Sequence, residues 1–173
     1  MAKRKSKKSS ISLVILLVSV LLSVLAICTL FMPMLKTVST TFGGASLTGA
    51  EIIEVAFASE ANSDMTLQQI SLLTMKQSDD NGFVAVVYCW AYFIGIIAAG
   101  VVVVFAVLKL IGIKLDILGV IGGAALVVLA LIVFIFSFIV AGKFALEWTA
   151  AVGSYLAFAA ILGGATAVYG AKK

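Results

Sequence analysis

The sequence predicts an all-α membrane protein: a bundle of four transmembrane helices carrying a small external cap, a short strand plus two short helices, between the first and second spans. Three observations predict it. Four runs, residues 11–35, 83–108, 117–141 and 148–169, contain no charged side chain. Each is long enough for a helix to cross a bilayer core, which takes roughly 20 residues at about 1.5 Å of rise each. The composition is 63% hydrophobic and 12% charged, with a mean hydropathy of +1.23, against about a quarter charged in a soluble domain. Finally, charge is sorted sharply between the segments that join the runs.

Taken in order, residues 1–10 form a basic stub and residues 11–35 the first span. Residues 36–82 form an external loop and 83–108 the second span. Residues 109–116 are a short link, 117–141 the third span, 142–147 a short external link, 148–169 the fourth span and 170–173 the tail. Lys3, Arg4, Lys5, Lys7, Lys8, Lys109, Lys114, Lys172 and Lys173 fall on one side, with Asp116. Lys36, Lys76 and Lys143 fall on the other, with Glu51, Glu54, Glu60, Asp64, Asp79, Asp80 and Glu147. Short loops rich in Lys and Arg stay in the cytoplasm, so both termini are expected there, in the cell membrane. The stub reads as a topology signal attracted to anionic lipid. It has no aromatic residue for base stacking, so no nucleic-acid partner is expected. The first run exceeds a cleavable signal core of about 7–15 residues and is expected to remain as an anchor.

Small residues supply a packing code. Ala150, Gly153, Ala157, Ala160, Gly164, Ala167 and Ala171 recur at alternating steps of three and four, which places them on one helical stripe. Gly119 and Gly123 form a second candidate seam with Ala130 and Ser137. In lipid, small side chains let helix backbones approach and gain dispersion contacts. Such seams serve either packing within the chain or contact with a membrane-protein partner or a second copy. Ser12, Ser19, Ser23 and Ala26 share a face of the first run, and the hydroxyls are expected to bond back to their own helix. Phe83, Tyr88, Trp90 and Tyr92, with Trp148, are expected to anchor the outer interface. Cys28 and Cys89 lie at similar depth, either as small buried residues or, if their faces meet, as a disulfide.

The external loop is the expected seat of specificity. Residues 37–42 read as a strand broken by Gly43-Gly44. Thr48 stands three residues before Glu51, the spacing of a capping box, and Ile52, Ile53, Ala56 and Phe57 form an apolar face behind it. Ser63 or Asp64 is positioned to cap a second helix over residues 65–77, with Leu67, Ile70, Leu73 and Met75 inward. Glu51, Glu54, Asp79 and Asp80 are candidate recognition residues, either as solvated acids or as oxygen ligands for a cation, although the alternating calcium-loop pattern is missing.

No catalytic, cofactor or metal residue is assigned. Histidine is absent, no charge lies inside a run, and no phosphate-loop motif occurs. In plan, four spans with a long first external loop resemble the claudin-like tetraspans, although residues 36–82 hold neither the Trp nor the Cys of that family's loop signature. The Lys-rich stub and Phe31-Met32-Pro33 at the end of the first run are similar to small bacterial membrane proteins. Neither resemblance implies an activity. The expected function is a non-enzymatic structural or accessory subunit that recognises a partner through its external loop. The alternatives are an oligomeric, holin-like pore, and a lipid-acting enzyme or transporter subunit.

Overall fold

The computed structural model describes residues 2–37, 45–113, 115–143 and 148–172, with side chains from Leu13 onward. Nine elements follow in order: α1 (Ala2–Cys28), a 3-10 turn (Thr29–Phe31), β1 (Pro33–Thr37), β2 (Ser46–Thr48), α2 (Gly49–Phe57), α3 (Leu67–Gln77), α4 (Gly82–Leu110), α5 (Asp116–Lys143), β3 (Trp148–Ala150) and α6 (Val152–Ala171), the turn not being counted among the nine. Four helices are long and apolar enough to cross a membrane, at Leu13–Phe31, Gly82–Leu110, Asp116–Lys143 and Val152–Ala171. The chain is a four-helix membrane-spanning bundle with a small cap.

The helices run alternately up and down in a ring. α1 packs on α4, α4 on α5, α5 on α6, and α6 back on α1. What lets them close is the absence of side chains where backbones meet. A Cβ built on Gly164 would lie 2.4 Å from the Gly123 carbonyl oxygen, and one on Gly123 would lie 2.6 Å from the Gly164 carbonyl oxygen. Each glycine is the space the other helix occupies. Gly119 does the same for the Phe105 ring of α4, whose Cζ would sit 2.4 Å from an added Cβ. On the opposite flank of α6, Gly163 lies against Leu22 and Ser23 of α1, and Ser19 donates to the Gly163 carbonyl at 3.2 Å.

At the end holding the termini, Lys109 ties three helices together. Its Nζ meets Asp116 Oδ1 at 2.7 Å and donates to the Gly170 carbonyl at 2.8 Å. A cation is favoured at the C-terminus of α6, where carbonyls lack intrahelical partners.

The cap holds a three-stranded sheet where the sequence reading expects a single strand. The sheet has order β2-β1-β3, with β1 antiparallel to both neighbours. Leu35 pairs with Leu47 on one side and Ala150 on the other. The expected span over 11–35 therefore ends early: α1 stops at Cys28, and Pro33, which cannot continue a helix, opens β1. Likewise the fourth span begins at Val152, because Trp148–Ala150 is drawn out to pair with β1, so Ala150 lies on a strand and not on the helical stripe. The basic stub continues as the first turns of α1. Of the strand expected over 37–42 only Thr37 is described. The Gly43-Gly44 break, Lys114, residues 144–147 and the side chains of the stub and of Ser12 lie outside the described residues.

Three expected interfacial anchors are core residues. Tyr88 is fully buried, Tyr92 is 4% exposed and Trp148 is 6% exposed, all packed beneath the cap. All three belong to one buried cluster with Met34, Leu35, Ile52 and Leu72.

Two substitutions test the close approach. Gly164→Leu forces α5 and α6 apart and is expected to cost about 1–3 kcal/mol or more, the range for overpacking a core. Gly100→Ala, where nothing lies within 4 Å of an added Cβ, is expected to be neutral or slightly stabilising. Thermal unfolding of both variants in one detergent checks the contrast.

Candidate functional site

The cap is shaped by its own polar groups. α2 and α3 both open on capping boxes. The Thr48 N–H donates to Glu51 Oε2 at 2.6 Å, and the Glu51 N–H donates back to Thr48 Oγ1 at 3.4 Å. Thr66 and Gln69 repeat the arrangement at 2.7 and 3.3 Å, so Thr66, and neither Ser63 nor Asp64, is the cap of α3. Gln69, only 2% exposed, also donates through Nε2 to Glu54 and joins the two helices side by side.

Lys76 closes the other end of α2. Its Nζ donates to the carbonyls of Val55, Ala56 and Ala58 at 2.9, 2.8 and 2.8 Å. These groups have no donor within the helix, and an ammonium with three hydrogens matches three of them. Nearby, Gln77 Nε2 donates to the Ser59 carbonyl at 2.7 Å. Beneath, Ile52, Val55, Ala56, Leu72 and Leu73 form the apolar layer with Met34, Leu35 and Leu47 of the sheet. Leu67, expected inward, is 77% exposed in the first turn of α3, and Phe57 is 59% exposed at the end of α2.

Two joints seat the cap on the bundle. In the first, Thr29 Oγ1 donates to the Ala26 carbonyl at 2.5 Å and lies 2.8 Å from the Tyr92 hydroxyl. Thr29 has one hydroxyl hydrogen, so Tyr92 is the donor of that pair. Gly49 makes room for it: an added Cβ would fall 1.9 Å from the Tyr92 oxygen and 2.6 Å from the Thr29 carbonyl. In the second joint, Ser154 Oγ and the Ala151 N–H both donate to the Met34 carbonyl, at 2.6 and 2.8 Å. Gly153 admits the strand, since its Cβ would lie 2.5 Å from Met34 Sδ.

Below these joints the four helices leave a cavity of about 30 Å³, lined by residues including Ala26, Ala130, Val133, Ala157 and Ala160, with Thr29 and Tyr92 as its polar wall. That volume exceeds the roughly 10–15 Å³ a water molecule needs.

The structure distributes the expected site residues as follows. Glu51 is a capping residue and Glu54 binds Gln69, whereas Asp79 and Asp80 are exposed in the turn before α4. Among the described residues no three acid, Cys or His side chains converge on a metal position. On the stripe, Gly153 faces β1, Ala157 and Ala160 line the cavity, Gly164 meets Gly123, and Ala167 is fully buried; Gly119 faces Phe105. Ser19 bonds across to α6, not to its own helix, and Ser23 is fully buried. Cys28 and Cys89 are free cysteines. Sequence reasoning misses Lys76, the Thr29–Tyr92–Gly49 joint and the second small face of α6. Only the last leaves a local signal, the spacing of Gly163 and Gly170. No family model, curated protein or solved structure matches this chain.

Gly49→Ala is expected to lower stability by more than about 1–3 kcal/mol. Adding Tyr92→Phe removes the nearest colliding atom but leaves the ring Cζ and the Thr29 carbonyl, each 2.6 Å from the added Cβ, so only partial rescue is expected. A double-mutant cycle on unfolding midpoints reads the coupling. Lys76→Met is expected to speed amide hydrogen exchange in α2 selectively, leaving α5 and α6 protected.

Proposed function

We propose that this protein is a non-enzymatic, multi-pass subunit of the cell membrane that supports a membrane-protein partner and recognises it through the outer face of the cap. The observation that carries the reading is the build of the first connection. Helices in a bundle are ordinarily joined by about 2–8 residues, so a connection that folds into elements of its own is far more than a link between two spans requires. Here residues 36–82 contribute a strand and two boxed helices, and β3 adds to the same sheet from the far end of the chain. Glu51, Glu54, Gln69 and Lys76 fix the shape of this platform. Glu60, Asp64, Thr74, Asp79 and Asp80 remain exposed on it for a partner to meet.

Both termini are cytoplasmic in this reading, because the Lys and Arg residues concentrate on that side. The likeness to claudin-like tetraspans is one of plan. Since the stripe of α6 is occupied by α5, β1 and the cavity, the partner meets the cap and not that seam.

Two measurements test the reading. In a Cys28→Ser/Cys89→Ala background, a cysteine replacing Asp80 is expected to react with a membrane-impermeant maleimide in intact cells. One replacing Ser6 is expected to react only after lysis, and the reverse pattern overturns the orientation. A photo-crosslinking residue at Asp64, Thr74 or Asp79 is expected to trap one protein species in native membranes. If no position traps a protein, the recognition role fails.

A further inference from the structure

We propose that the C-terminal end of α2 is a lipid-seated foot of the cap: Phe57, clasped by Trp90 and Phe93, sits at the headgroup–acyl boundary, and the first two turns of α4 stand outside the bilayer. The inference starts from helix length. α4 runs from Gly82 to Leu110, 29 residues, about 43 Å, whereas a hydrocarbon core is about 30 Å thick. At the usual tilt of about 20° it still spans about 40 Å, so one end projects. Lys109 is engaged with α5 and α6 at the end holding the termini, which fixes that end near its own interface. Counting back from Leu110 at about 1.5 Å per residue puts Phe93 about 26 Å and Trp90 about 30 Å away.

Phe57 meets those two rings edge to face, with centroids 5.2 Å from Trp90 and 4.9 Å from Phe93. A residue of the external loop is thereby held at the depth where the acyl region ends. Its ring is still 59% exposed, and Trp90 is 37% exposed. Below them the same face of α4 continues as Ile94 and Ile97, both 45% exposed or more, so the patch is continuous with the lipid-facing surface.

Rings on α5 and α6 occupy the same part of the bundle. Phe134, Phe138, Tyr155 and Phe158 form a second aromatic group, with centroid separations of 5.2, 6.1 and 5.8 Å for Phe134–Phe138, Phe134–Phe158 and Phe138–Tyr155. On α5 the phenylalanines lie about 27 and 33 Å from Asp116, and on α6 Phe158 and Tyr155 lie about 20 and 24 Å from Ala171. Phe31, 83% exposed, follows the last turn of α1 at the same end. Both aromatic groups thus fall about 20–33 Å from the end holding the termini, in the outer third of a core about 30 Å thick, where rings at a membrane interface belong.

The backbone of α2 agrees. Carbonyls that end a helix against lipid have little water to bond. The three at this end are met by Lys76 instead, so the foot can approach the acyl boundary without stranding them.

Depth-dependent fluorescence quenching tests the proposal on the full chain in phosphatidylcholine/phosphatidylglycerol liposomes. Quenchers are nitroxides attached near the glycerol end or near the terminus of the acyl chain, and aqueous iodide. In a Trp90→Phe/Trp148→Phe/Phe57→Trp variant, the indole at position 57 is expected to be quenched at least about twofold more by the shallow nitroxide than by the deep one, with little effect of iodide. Difference spectra between wild type and Trp90→Phe read Trp90 with residue 57 native, and the same preference is expected. Phe83→Trp, about 10 Å farther out along α4 from Trp90, is expected to respond to iodide and hardly to either nitroxide. Quenching of position 57 by iodide alone would place the foot in water, and quenching by neither agent would place it under protein. Either result overturns the proposal, as does a deep-label preference at Trp90.

Discussion

Gly123 and Gly164 set α5 and α6 at backbone distance, and the remainder of the bundle is arranged around that approach. Lipid tails are as apolar as leucine, so nothing like the aqueous hydrophobic effect pushes these helices together. Close packing supplies the contact instead, and a gap of about 0.5–1 Å already forfeits a quarter to a half of the dispersion attraction. A single methyl at either position would meet the facing carbonyl oxygen and force the backbones apart. With α6 held against α5, its opposite flank presents Gly163 to Leu22 and Ser23, which brings α1 into the ring. The top of the same helix then presents Gly153 to β1. One helix of small residues thus locates α5, α1 and the cap in turn.

The cap follows a different logic, because its surroundings are aqueous above and apolar below. Outside, backbone groups at the ends of α2 and α3 are met by side chains from the same loop, so the two short helices do not depend on tertiary burial alone. Inside, the cap presents Leu35, Leu47, Ile52, Val55 and Leu72, all fully buried. At about 25 cal/mol per Å² of apolar area, this layer is the principal force holding loop to bundle. The Thr29–Tyr92 and Met34–Ser154 bonds add direction to a force that has none of its own.

The sequence announces the four spans, the Thr48–Glu51 box and the small-residue spacing, because each depends on composition or local period. Its silence on β1 and β3 has a physical origin. Pro33–Thr37 and Trp148–Ala150 are too short to show an alternating pattern, and they adjoin apolar runs that suit a helix equally well. What makes them strands is each other, across more than a hundred residues. The same holds for the aromatic residues. Tyr88, Tyr92 and Trp148 look like interface anchors by type and position, but the cap folds over them, and a sequence without neighbours cannot reveal which side of α4 is roofed. Among the candidate site residues, Glu51 was legible as a capping group, Glu54 depended on a glutamine fifteen positions later, and Lys76 gave no local sign of the carbonyls it would serve.

The pairing of β3 with β1 has a bearing on how the protein is made. β1 is the central strand, yet its second neighbour emerges only after α4 and α5 have been synthesised. Until then one edge of β1 and the Met34 carbonyl stand open, and an open strand edge is a template for unwanted pairing. The sheet is completed when the third span has crossed in the right direction and delivered Trp148–Ala150 to the same side as Pro33–Thr37. A chain that stalls, or threads α5 backwards, keeps an unfinished edge on its outer surface. The finished sheet is therefore a signature of correct insertion, assembled from segments more than a hundred residues apart.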